Sequence, residues 1–65
     1  MKKPFAMLTK QDVETIRRKP TSGKSVVYAF SEVDVEAARM HLEKIYGGTV
    51  RESFAARILL LNELY

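Results

Sequence analysis

Cysteine and tryptophan are absent from this sequence of 65 residues, and histidine occurs once, at position 41. Without cysteine, neither a disulfide framework nor a thiolate metal site can form. His41 alone cannot supply the ligands of a zinc ion. No apolar run reaches the length of a membrane span, and the first residues lack the apolar core of a signal peptide. We therefore expect a cytoplasmic protein with no membrane contact, no metal and no cofactor.

The residue patterns of common catalytic sites are also missing. The sequence has no Ser-His-Asp set and no clustered pair of carboxylates. Gly47-Gly48 is not followed by the lysine and hydroxyl residue that a nucleotide-binding loop requires. His41 has charged neighbours in the sequence and is expected on the surface. These absences predict that the protein is not an enzyme.

Charge is divided unevenly along the chain. Residues 1–24 carry seven basic and two acidic side chains, a net +5, whereas residues 25–65 carry four basic and six acidic ones, a net −2. A basic front on a mildly acidic body indicates a protein that meets a polyanion. The alternative is a solvated charged segment that aids solubility. The expected phosphate contacts in this front are Lys2, Lys3, Arg17, Arg18 and Lys19.

Capping residues and apolar spacing predict three helices. The run from Thr9 to Asp12 has the form of a capping box and predicts a short helix over residues 10–18. Ser31, followed by acidic residues, predicts a helix over residues 32–46, which two glycines end. Thr49 is then placed to cap a last helix, which continues to the final residue of the sequence.

The last predicted helix is apolar on most of its surface. Val50, Phe54, Ile58 and Leu61 recur at helical spacing, and leucines widen the stripe that they form. Such a helix is buried on most sides, and a chain of 65 residues has few other elements to cover it. This pattern predicts a homodimer whose core includes the last helix.

Residues 25–30 form the strand candidate, because they are rich in β-branched and aromatic side chains. Alternation places one set of side chains towards the core and the other towards a ligand. A single strand cannot satisfy its own backbone hydrogen bonds. We therefore expect it to pair with the same strand of a second copy. The predicted core set is Val26, Tyr28 and Phe30, and the predicted outer set is Ser25, Val27 and Ala29.

The order of strand, helix, glycine turn and helix resembles the ribbon-helix-helix family of DNA-binding proteins. The resemblance covers residues 24–65, with Lys24 to Ser31 as the ribbon and Gly47 to Phe54 as the turn that opens the second helix. It implies a mainly α fold with one strand, built as a homodimer with an intermolecular two-stranded antiparallel ribbon and helix pairs. Residues 1–23 would precede this domain as a basic segment with a short helix.

In that family the ribbon enters the major groove of DNA and a helix N-terminus holds a phosphate. The resemblance implies sequence-specific binding of double-stranded DNA by a small repressor or a plasmid or phage accessory factor. The ribbon departs from the family because its outer face has few polar side chains. The implied DNA contacts are Lys24, Ser25, Val27, Ala29, Thr49, Val50 and Arg51. The implied dimer core is Val26, Tyr28, Phe30, Val50, Phe54, Ile58 and Leu61.

Two alternatives stay open at this point. An antitoxin would join such a domain to a segment that binds a protein partner, and here that segment would be the first 20 residues. A protein-interaction module would instead add its strand to the edge of a partner's sheet and pack its last helix in the partner's groove.

Overall fold

The computed structural model describes residues 3–20 and 30–65 of the chain. All regular structure in these two ranges is helical. A short 3-10 helix, Phe5–Met7, is followed by helix α1, Lys10–Ile16. Helix α2, Glu32–Tyr46, and helix α3, Glu52–Leu64, complete the described chain.

The capping box predicted for the first helix is confirmed. The Thr9 hydroxyl accepts a hydrogen bond from the Asp12 N–H at 3.1 Å, and the Asp12 carboxylate accepts one from the Thr9 N–H at 3.0 Å. The two reciprocal bonds satisfy N–H groups that a helix start otherwise leaves without partners. Helix α1 ends at Ile16, two residues before the predicted end.

The predicted bounds of α2 are also confirmed. The Ser31 hydroxyl accepts a hydrogen bond from the Asp34 N–H at 3.1 Å and caps the helix at its first turn. At the other end Gly47 has a φ of 71°, in the left-handed region where a side chain is unfavourable. The local residue chemistry therefore determines both ends of this helix.

The predicted start of α3 is wrong. Its N-cap is Arg51 rather than Thr49, and the first helical residue is Glu52. The reason lies in the preceding turn, where the Val50 side chain is buried and its N–H donates to the Glu43 carboxylate at 3.2 Å. This anchor to α2 keeps the chain extended through Arg51, so that helical geometry begins two residues later than expected.

All three helices and the segment before α1 share one apolar core. The inner side of α3 is covered by α1 and α2 of the same chain. A single helix cannot bury its own apolar face, so each of these short elements packs against the others. The fully or almost fully buried apolar side chains are Leu8, Val13, Ile16, Ala38, Leu42, Val50, Ala55, Ile58 and Leu61.

The ribbon-helix-helix prediction is therefore wrong. The described ranges form a small all-helical fold without a strand. Five of the six predicted strand residues, 25–29, lie outside the described residues, and Phe30 is irregular chain directly before the cap of α2. A dimer was predicted because no other part of the same chain was expected to cover the last helix. Leu8, Val13 and Ile16 do so, although the sequence pattern assigned them to a separate basic segment.

Three polar contacts also attach the N-terminal segment to α2 and α3. The Tyr46 hydroxyl donates to the Glu14 carboxylate, His41 donates from Nε2 to the Leu8 carbonyl at 2.8 Å, and Asn62 donates to the Lys3 carbonyl at 2.8 Å. The expectation that His41 is a surface residue is wrong, because the ring is half-buried and packs edge-on against another aromatic ring.

Of the helices described, none has the length and apolar character to span a membrane.

Candidate functional site

Seven of the residues predicted to bind DNA or form a dimer core lie outside the described residues, namely Lys2, Lys24, Ser25, Val26, Val27, Tyr28 and Ala29. The other predicted residues have defined positions. They lie at a groove between the end of α1 and the start of α3, at the C-terminal end of α3, in the apolar core and, for Phe30, at a second cavity.

The groove brings Arg17, at the end of α1, together with Thr49 and Arg51, at the start of α3. It encloses about 440 Å³. We call it the Arg17–Arg51 groove, and its lining residues are Arg17, Tyr46, Gly48, Thr49, Val50, Arg51 and Phe54. Two arginines that are distant in the sequence therefore face one concave surface that also contains the turn before α3.

Arg51 is exposed and has no acidic partner within ion-pair distance among the described residues. Arg39, by contrast, contacts both Glu36 and Glu43. Its guanidinium is already satisfied within the protein, whereas the one on Arg51 retains its five donors. Arg51 is therefore available to bind an external anion.

The backbone at the start of α3 adds donors close to Arg51. The N–H groups of Glu52, Ser53 and Phe54 lie in the first turn, and they have no acceptor among the residues described. The N–H of Val50 is not available, because it donates to Glu43. The donors predicted at Thr49, Val50 and Arg51 are thus displaced along the chain to the three residues that follow.

Arg17 is held by a short chain of contacts on the other side of the groove. Its guanidinium lies 3.2 Å from the Glu14 carboxylate, which also accepts the hydrogen bond from Tyr46. The Tyr46 hydrogen bond is the main reason why the pKa of Glu14 falls below its ordinary value, and the Arg17 contact adds to the effect. Burial, followed by the same hydrogen bond, raises the pKa of Tyr46 to about 12. Both groups thus keep their usual charge states near neutral pH.

Two further cations surround this contact chain. The Lys10 ammonium lies 5.5 Å from the centre of the Tyr46 ring, and Arg18 is exposed and close enough to help lower the pKa of Glu14. Glu14 neutralises part of the charge on Arg17. The positive excess at this surface is small, because two more carboxylates lie beside it: Glu43, bonded to the Val50 N–H, and Glu52, the first residue of α3.

Lys3 and Lys19 belong to a different region of the surface. Lys3 forms an ion pair with Asp12 at 2.9 Å, and its carbonyl accepts the hydrogen bond from Asn62 near the end of α3. The Lys19 ammonium lies 5.6 Å from the centre of the Tyr65 ring. These two predicted phosphate contacts therefore lie near the C-terminal end of α3, whereas Arg51 lies at its N-terminal end.

The predicted dimer-core residues that the structure describes are partly or fully covered within one chain. Ile58 and Leu61 are completely buried and Val50 is almost so. Phe54 is half-buried, with its ring edge-on to that of Tyr46 at 6.2 Å. Phe30 is half-buried at the rim of a second cavity. The inner side of α3, the helix that the protein-interaction alternative would pack in a partner's groove, is therefore covered within the chain.

The second cavity encloses about 350 Å³ between the N-terminal segment, α2 and α3. Aromatic rings and two carboxylates line it, those of Asp34 and Glu63. Negative charge at its wall disfavours a phosphate or nucleic acid there. Within residues 3–20 and 30–65 no group of three or more His, Asp or Glu side chains is arranged to hold a metal ion.

Sequence reasoning missed several residues at this site, among them Lys10, Tyr46 and Glu14. Tyr46 is the last residue of α2, directly before the glycines, so its closeness in sequence to Thr49 and Arg51 was a usable signal. Lys10 gave no comparable signal, because only the packing of α1 on α2 brings it to the Tyr46 ring. Searches of protein-family models, of curated proteins and of solved structures found no match to this chain.

Proposed function

We propose that this protein binds double-stranded DNA by holding backbone phosphates in the Arg17–Arg51 groove. The observation that carries the proposal is the convergence of Arg17 and Arg51 on one groove beside the free N–H groups of α3. Arginine matches a phosphate with two parallel N–H donors, and a helix N-terminus adds backbone donors and a favourable dipole. The Thr49 hydroxyl, at the same rim, supplies a further donor.

The distribution of charge supports the same proposal. Lys10, Arg17, Arg18 and Arg51 lie at or beside the groove, whereas Asp34 and Glu63 line the second cavity. A phosphate chain would meet more cations than carboxylates at the groove, where these four cations lie with Glu14, Glu43 and Glu52. Contacts of this kind position a protein on a duplex without choosing a sequence. The function that they suit is that of a small regulator or accessory factor that occupies DNA in the cytoplasm.

Salt dependence of binding to a fluorescently labelled duplex tests the proposal. Four phosphate contacts would give log K a slope of about −3.6 against log salt, since each contact contributes about −0.9 on B-DNA. Arg51→Ala should weaken binding roughly tenfold, the equivalent of one charge-assisted contact, and should reduce the slope by about 0.9.

Arg57→Ala is the matched control. Arg57 is an exposed arginine of α3 that does not line the groove and has no acidic partner among the described residues. The two variants lose the same charge, so a difference between them reports the groove itself. Equal affinities for Arg51→Ala and Arg57→Ala, or no binding of the unmodified protein at low salt, would refute the proposal.

A further inference from the structure

The outer side of α2 carries a stripe of apolar side chains that nothing in the described chain covers. Val33 is 77% exposed and Met40 is 62% exposed, and Ala37 lies between them and is also exposed. Spacings of four and three residues place the three side chains on one face of a helix. Lys44 follows one turn later and extends the same face with its methylene stem. We call these four residues the α2 stripe.

Charge is polarised along the helix that carries the stripe. The first half of α2 contains Glu32, Asp34 and Glu36 and no basic residue. The second half contains two basic residues against one acidic residue, and its Arg39 is already paired with neighbouring carboxylates. Lys44 is left as the unpaired cation of this half, since the described chain offers its ammonium no acidic partner.

We propose that the α2 stripe is an interface with a second copy of this chain, in which two α2 helices pack antiparallel about a two-fold axis. Antiparallel pairing sets the basic end of each helix against the acidic end of the other. Parallel pairing would set like charges together, which is unfavourable. A basic foreign partner fits less well, because Lys44 lies within the stripe and would repel it.

The side chains of the two stripes are complementary in size in this arrangement. An axis midway between Ala37 and Met40 places the Met40 side chain of each copy over the small Ala37 of the other. It also places the Lys44 stem over the Val33 of the second copy, with its ammonium one turn from Glu36 there, whose carboxylate also contacts Arg39 of its own chain. Alternating large and small side chains in this way allows two helices to interlock.

The interface is independent of the proposed DNA-binding function, because the stripe and the Arg17–Arg51 groove share no residue. A single pair of four-turn helices buries less than the roughly 1,200 Å² of a typical stable complex. The association should therefore be reversible and depend on protein concentration. A dimer of this kind would carry two copies of the groove.

Sedimentation equilibrium tests the proposal over protein concentrations from roughly 1 μM to 1 mM, the range of weak to moderate affinities. The unmodified chain should change from monomer to dimer within this range. The double variant Val33→Ser/Met40→Gln should raise the dissociation constant at least about tenfold. Met7→Gln is the matched control, because Met7 is 67% exposed but lies outside the stripe, and it should leave the dissociation constant unchanged.

A charge exchange tests the antiparallel geometry. Lys44→Glu and Glu36→Lys should each be monomeric alone, because each brings like charges together at both ends of the interface. An equimolar mixture should form a heterodimer, since each new glutamate then meets a new lysine and the original pair is kept at the other end. A monomeric unmodified chain at the highest concentration would overturn the proposal and leave the stripe to a different partner. A dimer that is insensitive to the stripe variants, or a mixture that stays monomeric, would also overturn it.

Discussion

Replacing Ile16 with alanine should strongly destabilise the protein. Ile16 is the last residue of α1 and is 1% exposed in a core that it shares with α2 and α3. Truncation of a buried isoleucine costs about 2–5 kcal/mol, because it removes apolar contacts and leaves a cavity. If residues 1–23 formed a separate basic segment, as the sequence pattern suggested, the same change would cost almost nothing.

The expected loss is large relative to the whole stability of such a chain. A domain of this length has a free energy of unfolding of about 3–10 kcal/mol. A loss of about 3 kcal/mol would lower the midpoint of thermal unfolding by about 12–24 °C. The measurement is thermal unfolding followed by circular dichroism at low protein concentration, with urea unfolding as a second measure of the same free energy.

Met7→Ala provides the comparison for this experiment. Met7 belongs to the same N-terminal segment and is also apolar, but it is 67% exposed. Its truncation should change the free energy of unfolding by no more than about 0.5 kcal/mol, as is usual for surface positions. If Ile16→Ala and Met7→Ala had the same midpoint, α1 would not be part of the core, and the packing described for the N-terminal segment would be refuted.

Two further predictions concern the C-terminal end of α2 and the turn that follows it. Because the folded-state pKa of Tyr46 is raised from 10.0 to about 12, its contribution to stability is complete below pH 10.0 and declines as the pH rises towards 12. Tyr46→Phe should remove this decline from a urea-unfolding series between pH 9 and 12. The same change should raise the pKa of Glu14 towards 4.5 in NMR titrations, because the carboxylate loses its main hydrogen bond. An unchanged Glu14 pKa would contradict the contact. Gly47→Ala should destabilise the protein by about 1 kcal/mol, because a side chain is strained at a φ of 71°. Gly48→Ala, where an added Cβ meets nothing within 4 Å, should instead be neutral or stabilise by up to about 1 kcal/mol; equal effects of the two changes would refute the turn geometry.

The helical fold changes which surfaces are candidates for self-association and for DNA binding. The sequence pattern predicts a dimer contact in the last helix and a DNA contact mainly in a strand. The structure buries the inner side of that helix within one chain, and it leaves exposed a different face, on α2. The groove and the α2 stripe can now be tested separately, because variants of one do not touch the other.

Local sequence determined the helix ends where the signals depend on neighbouring residues. The Thr9–Asp12 capping box, the Ser31 cap and Gly47 each act through backbone groups within four residues, so their roles can be read without knowing the fold. The start of α3 could not be read in this way. It depends on the bond from Val50 to Glu43, which forms only after the turn packs against α2.

Tertiary structure alone decided which elements cover the apolar side of α3 and which basic side chains lie at the same groove. The apolar pattern of Ile58 and Leu61 predicts burial, but it is silent on whether the covering side chains come from the same chain or from another copy. Leu8, Val13 and Ile16 have the spacing of a hydrophobic staple and of a short amphipathic helix, which predicts an apolar face but does not identify the element that this face packs against. Likewise Arg17 and Arg51 come together because α1 packs against both α2 and α3, and long-range packing of that kind leaves no local mark in the sequence.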